Sequence, residues 1–235
     1  MIESENNFSK KDVDADLFYA FDRINHQSFY VINCIKKEFL QISENNTFFC
    51  EQPSQKIKEM NYQFYQQCIP DREQPLLGRI FKAVETFLEC CLPEDKKRCV
   101  FKFNLHLKNG KEEMLVCHTA TPIKLSECGD VEFMLCMISL PLNKEVGYLE
   151  AYDGKKPWNY NFKTKKWESA GSVELTSLGR KILYYAAIGY NEKEIADKVN
   201  LSVSSIKAHK KILFERLDVK NTQTAILIAM QEKIL

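Results

Sequence analysis

Residues 194–213 read EIADKVNLSVSSIKAHKKIL. Ile195, Ala196 and Val199 recur at three- and four-residue steps, the period of an amphipathic helix. Asn200-Leu201-Ser202 interrupts that period, and Ser202 is suited to cap a second helix by accepting from one of its free backbone N–H groups. On a wheel centred on Ile206, Val203, Ile206, Leu213 and Leu217 lie within about 60° on either side of zero and form a core stripe. Ser204, Lys207, Ala208 and Lys211 fall on a separate face, between about 100° and 200°. Lys210, at about 40°, borders the apolar stripe and must snorkel toward solvent or a phosphate. A run of lysines alone is more often a solvated surface than a binding face. Two capped helices across a three-residue turn, with cations opposite the core stripe of the second, describe instead a helix-turn-helix. Its slim basic face suits a major groove about 12 Å wide.

The flanking residues extend this pattern to a four-helix domain. Thr176 can cap a first helix holding Ile182, Leu183 and Ala186, and Gly189 suits its left-handed end. Asn191 can start the second helix, and the small Ala196 lets a neighbouring helix approach closely. In the last helix Ala225, Ile226, Leu227, Ile228, Ala229 and Met230 are apolar on more than one stripe. One stripe must pack within the domain, which leaves the other for a partner subunit and a two-fold protein on a palindromic site. From residue 172 to the end, ten Lys/Arg stand against seven Asp/Glu, a charge of +3, against −2 for the remainder.

Leu175-Thr176, Ala187-x-Gly189, Lys193-Glu194-Ile195-Ala196, Leu201-Ser202-x-x-x-Ile206-Lys207-x-His209 and Leu217-x-Val219 resemble the DNA-binding domain of LuxR-type transcription regulators. The resemblance runs through about residues 174–235. It implies that the helix over about 202–217 is the recognition helix, with Lys207, Ala208 and Lys211 at positions that face bases. It places Ser205, His209 and Lys210 near the phosphate backbone; for His209 the alternative is a residue that packs beside the helix turn and hydrogen-bonds within the domain. Ser204 joins the DNA-binding set from the wheel, and Asn221 and Thr222 join it at the start of a last helix that commonly supplies a dimer contact. Two departures stand out. Leu178 and Gly179 occupy positions where the family usually carries Arg and Glu, so a capping box with Thr176 is lost. Ile212 replaces a more common polar residue.

Upstream, the pattern mixes strand and helix. YVIN and EFLQIS, within residues 30–43, are short strand candidates, and residues 43–97 are mainly helical in period. The clearest helix is EQPLLGRIFKAVETFLECCL, with Asp71 as its candidate cap. FKFNLHLKNGKEEMLVCHT alternates apolar and polar residues up to Asn109-Gly110, a β-hairpin signal. VEFMLCMISLPL is nearly continuous in apolar residues, as in a strand covered on both faces. Trp158, Tyr160 and Phe162 alternate in a further hairpin that links or docks the two parts. Two strands, several helices and three antiparallel strands, with Ile69-Pro70-Asp71-Arg72-Glu73 before a helix, resemble the PAS sensor family over roughly residues 25–142.

These readings predict an α+β chain. Its parts are an N-terminal helical extension (1–24), a PAS-like sensor domain with an antiparallel sheet and helices (25–142), a β-hairpin linker (143–171) and an all-α helix-turn-helix domain (172–235). The expected function is DNA-binding transcription regulation modulated by a ligand or protein at the PAS-like domain. Double-stranded DNA, a second copy of the chain and RNA polymerase are the expected partners. The alternative is an adaptor whose helical domain binds a protein without reading DNA. An enzyme is disfavoured: His26, His106 and His118 lack ligand spacing, and no phosphate loop or nucleophile motif stands out. Nine cysteines without a Cys-x-x-Cys pair argue for reduced thiols rather than a disulfide framework or metal site. No cofactor is expected beyond a sensor ligand of unknown identity. The N-terminus, MIESENNFSKKDVDAD, is too polar for a signal peptide, and no apolar run approaches the roughly 20 residues of a membrane span. The expected location is the cytoplasm.

Overall fold

The computed structural model describes residues 15–25, 27–49, 52–109, 112–141, 143–171, 175–231 and 234–235. The chain divides into two units, Met1–Ala170 and Gly171–Leu235. Unit 1 opens with α1 (Ala15–Ile24), β1 (Ser28–Asn33) and β2 (Glu38–Ile42), followed by α2 (Ser54–Met60), α3 (Gln63–Cys68), α4 (Gln74–Glu89) and α5 (Pro93–Lys96). Long strands β3 (Val100–Asn109), β4 (Glu112–Leu125) and β5 (Val131–Ser139) come next, then β6 (Leu149–Tyr152), β7 (Pro157–Asn161) and β8 (Lys166–Ser169). All eight form one antiparallel sheet in the order β2-β1-β5-β4-β3-β6-β7-β8. The two-strand, helical, three-strand order expected of a PAS-like domain is present.

Alternation explains where the core sits. Phe103, Leu105 and Leu107 of β3, Val116 and Ala120 of β4, and Cys136 and Ile138 of β5 share one sheet face with Tyr30 and Ile32 of β1. Against it pack Ile57 of α2, Phe64 and Tyr65 of α3, and Leu77, Ile80 and Ala83 of α4. On the other face Phe18 and Phe21 of α1 lie 4.9 and 5.0 Å from the Phe29 ring. β1 is therefore buried along its whole length. The hairpin register runs from Phe101↔Ala120 to Asn109↔Glu112, and Gly110 itself lies outside the described residues.

Three expectations are corrected here. Asp71 does not cap α4: the N-cap is Glu73, without a side-chain cap bond. The Glu73 carboxylate instead accepts from the backbone N–H of His106 at 2.8 Å and lies 2.7 Å from His106 Nδ1, which ties the helix start to β3. Residues 143–171, expected as a hairpin linker, do contain the β7–β8 hairpin, but β6 pairs with β3 and β7 with β6, so the segment extends the sheet. Trp167 donates from Nε1 to the Ala83 carbonyl at 3.2 Å and packs on Phe87, which binds the hairpin to α4. β5 is fully covered only at Phe133, Cys136 and Ile138, with its other residues half-buried.

Unit 2 is all-helical: α6 (Ser177–Ala187), α7 (Glu192–Val199), α8 (Val203–Arg216) and α9 (Thr222–Gln231). Leu175, Ile182, Leu183, Ile195, Ala196, Ile206, Leu213, Leu217, Ala225 and Ala229 close its core. No helix among the described residues is long and apolar enough to cross a membrane.

Candidate DNA-binding site

Helix α8 is positioned by its local chemistry. Asn191 caps α7 by accepting from the N–H groups of Lys193 and Glu194, and Glu194 accepts from the Asn191 N–H at 2.8 Å, completing a capping box. Asn200 ends α7 in the left-handed region, at φ 54° and ψ 47°, a conformation that asparagine tolerates better than most side chains. Ser202 then caps α8 by accepting from the Ser205 N–H at 3.1 Å, and its hydroxyl lies 2.8 Å from those of Ser204 and Ser205. Thr176 caps α6 through the Gly179 N–H, and Gly189 follows α6 at φ +96°.

Gly179, a departure from the LuxR pattern, lies close against a core side chain of α8. A Cβ there would lie 2.8 Å from Leu213 Cδ2, so a larger residue would require the Leu213 side chain to shift.

On α8, Ile206, Leu213 and Leu217 are buried as the wheel predicts. Val203 is not: it is 37% exposed, because it is the first residue of the helix and projects past the core. Ser204, Lys207, Ala208 and Lys211 are all exposed, a slim basic face opposite the core. Lys207 makes no ion pair within 4 Å among the described residues. Lys211 lies 4.0 Å from Glu215, with both side chains largely in solvent, a pair that contributes little. Lys210 differs. Its Nζ donates to Glu192 Oε1 at 2.9 Å and lies over the Phe214 ring, so its charge is used to join α8 to α7. That hydrogen bond is the main cause holding the Glu192 carboxyl below its ordinary range.

Ser205 and His209 are half-buried on the flank of the face, and His209 makes no hydrogen bond with any described residue. Asn221 is occupied within the domain: its Oδ1 accepts from the N–H and hydroxyl of Thr224 at 2.8 and 3.0 Å. Thr222 and Gln223, the first residues of α9, border an open cavity of about 590 Å³ with Asn191, Lys193, Val203 and Lys207. Of the expected set this groove brings together Lys207, Lys210 and Thr222, while Ser204, Ser205, Ala208, His209, Lys211 and Asn221 do not line it; it adds Asn191 and Lys193, which the sequence reading named as a helix start and a motif residue but not as candidate DNA contacts. Their position at the start of α7, one short turn before the helix crossing, was the available signal.

Residues 173–229 match the family model of the bacterial regulatory proteins of the luxR family, GerE. The C-terminal unit carries a luxR-family helix-turn-helix domain. Over 55 residues this part is 42% identical to YhjB of Escherichia coli (strain K12), which bears the name of an HTH-type transcriptional regulator; the match spans 23% of this chain and 28% of that protein. It is 36% identical over 55 residues to the oxygen regulatory protein NreC of Staphylococcus carnosus (strain TM300), spanning 23% of this chain and 25% of that one. The chain therefore spans only about a quarter of the length of these relatives. Among solved structures, a dimer of the LuxR-type receptor VqmA of Vibrio cholerae, without its target DNA, aligns over 92% of this chain and 86% of that one, at 12% identity and a TM-score of 0.30. A likeness of that size carries no weight for this chain. The luxR-family match, together with the caps and exposed face of α8, disfavours the adaptor reading.

Unit 1 holds a second feature of chemical interest, one that sequence spacing did not reveal. His118 of β4 is buried, stacked on Phe103 at 4.9 Å, and neither ring nitrogen has a hydrogen-bond partner among the described residues. Burial lowers its pKa to about 4. The ring is thus neutral at pH 7, with one donor and one acceptor to offer. Close by are the Tyr65 ring, 6.3 Å away, and the hydrogen-bonded hydroxyls of Tyr30 and Tyr65.

Proposed function

We propose that this chain is a transcription regulator that reads double-stranded DNA with α8 and is modulated through the PAS-like unit 1. The observation that carries the reading is the division of α8 into a buried stripe (Ile206, Leu213, Leu217) and an exposed face (Ser204, Lys207, Ala208, Lys211). Lys207, Ala208 and Lys211 face base edges, where lysine can donate to guanine O6 or N7 and alanine can approach a thymine methyl. Ser204, Ser205, His209 and the start of α9 at Asn221 and Thr222 meet phosphates, which supply most of the affinity. Lys210, paired with Glu192, stiffens the crossing of the two helices and is the member of the expected set least available to DNA.

Dimerisation on DNA belongs to the same reading. Ala225 and Ala229 of α9 are fully buried at home, whereas Ile226 and Leu227 are half-buried and Met230 is 62% exposed. That second stripe suits a matching stripe from another copy, on a site of two-fold symmetry. In unit 1, His118 and the Tyr30–Tyr65 pair are the polar groups through which a small ligand could be sensed.

Selection of bound sequences from a random duplex pool tests the reading. The expected result is a short palindromic pair of half-sites recovered by the intact chain and lost when Lys207 and Lys211 are both changed to Ala. Recovery of no sequence, together with no salt-dependent binding to random DNA, refutes it.

A further inference from the structure

We propose that Cys91 and Cys99 form a modification site, a dithiol that a hydroperoxide oxidises to an intramolecular disulfide. Cys91 follows the C-terminal end of α4, and Cys99 immediately precedes β3. Their Sγ atoms lie 3.9 Å apart. Each thiol also lies near a carbonyl one turn earlier: Cys91 Sγ is 3.3 Å from the Phe87 oxygen, and Cys99 Sγ is 3.6 Å from that of Asp95. The two sulfurs are therefore held toward each other on neighbouring chain ends. A disulfide has a bond of about 2.0 Å, so closure needs the sulfurs to approach by about 2 Å. The intervening residues 92–98 contain the short α5 and no strand, so this approach shifts no sheet register.

Access and chemistry assign the order of events. Cys99 is fully buried, whereas Cys91 is half-buried and is the one that an oxidant in solvent can reach. The Cys91 thiolate attacks one oxygen of the hydroperoxide: an S–O bond forms and the O–O bond breaks. The other oxygen leaves with the proton that Cys91 gave up, as water or an alcohol. Cys99 then attacks the sulfenic sulfur: the S–S bond forms, the S–O bond breaks, and the departing hydroxide takes the Cys99 proton as water. Two electrons pass from the sulfur pair to the peroxide. Burial raises both thiol pKa values, Cys99 to about 12, and Asp153 and Asp95 raise both further. The pair is thus mostly un-ionised near neutral pH and reacts slowly with the oxidant. Once formed, the bond ties the end of α4 to the start of β3.

The test is disulfide mapping of the full-length chain after treatment with excess hydrogen peroxide, with free thiols alkylated under denaturing conditions before peptide mass spectrometry. The expected product is a peptide containing Cys91 joined to one containing Cys99, reversed by dithiothreitol. Cys90→Ser retains that link, and Cys91→Ser loses it while leaving Cys99 open to alkylation. Because the link is mapped first in the unaltered protein, the result does not depend on a variant folding. A link from Cys90 to either partner in place of the Cys91–Cys99 link overturns the proposal. So does Cys91 oxidised to a sulfinic acid with Cys99 free, or both thiols remaining alkylatable at peroxide excess. None of these outcomes depends on DNA binding, so failure here leaves the reading of α8 untouched.

Discussion

Lys207 and Lys210 are three residues apart on one helix, yet their surroundings assign them different work. Lys207 stands in solvent on the slim face, while Lys210 has only 18% of its side chain exposed and donates to Glu192 at 2.9 Å. Each phosphate neutralised by a lysine contributes about 0.9 to the slope of log K against log salt on duplex DNA. Lys207→Ala should therefore lower the salt slope by about one if the lysine meets a phosphate, or cost about 1–3 kcal/mol on the selected site if it reads a base. Lys210→Ala should leave the slope within error of the unaltered chain and lower the stability of unit 2 instead, by up to about 1 kcal/mol because the pair is partly solvated. Titration of duplex binding across salt concentrations for both variants checks this. A loss of slope at Lys210 equal to that at Lys207 would show that DNA takes Lys210 away from Glu192.

At the scale of the element, unit 2 rests on its helix ends. The Asn191 capping box satisfies three backbone N–H groups through two side chains, so Asn191→Ala should destabilise unit 2 by about 1 kcal/mol in urea unfolding. Asn200 tests the turn separately. A β-branched residue is strained at its φ of 54°, and Asn200→Val should cost roughly 1–2 kcal/mol, whereas Asn200→Gly should be close to neutral. Equal stability of the valine and glycine variants would mean that the turn re-forms around another residue. These ends were legible in the sequence because caps, turns and helical period are local: Thr176, Asn191 and Ser202 each act within three residues of themselves. Pairings across elements were not. Glu192 meets Lys210 only once α7 and α8 have crossed, and Leu213 comes to lie against Gly179 only in the folded domain. The alternation around Trp158 showed a hairpin, but nothing local says that β6 will carry it onto the edge of β3. Val203 shows the limit of the wheel itself, which assigns a face but not how far along a helix the core extends.

The whole molecule offers a way to watch its two units apart. Both tryptophans, Trp158 and Trp167, lie on β7 and β8, so tryptophan fluorescence reports on unit 1, while far-UV circular dichroism also registers the all-helical unit 2. His118 supplies a perturbation confined to unit 1. An unfolded histidine titrates near 6.5, but burial lowers His118 to about 4 in the folded unit. Between those two values the unfolded chain binds the extra proton, so this group's contribution to stability is complete above about pH 6.5. It falls as the pH drops toward 4 and stays constant below, where both states are protonated. From pH 7 to pH 5 the loss attributable to His118 should be about 2 kcal/mol. Urea unfolding followed by tryptophan fluorescence at the two pH values should show that difference in the unaltered chain and lose it in His118→Phe, whose ring can keep the stacking on Phe103. The helical transition of unit 2 should respond equally in both proteins. A ligand that hydrogen-bonds the neutral His118 ring in the folded unit would add to the stability above pH 6.5 and steepen the loss on acidification. The same measurement, repeated with candidate ligands, therefore tests whether signals enter the PAS-like core at this residue. A pH response identical in the unaltered and His118→Phe chains would remove His118 from both the acid sensitivity and the sensing role.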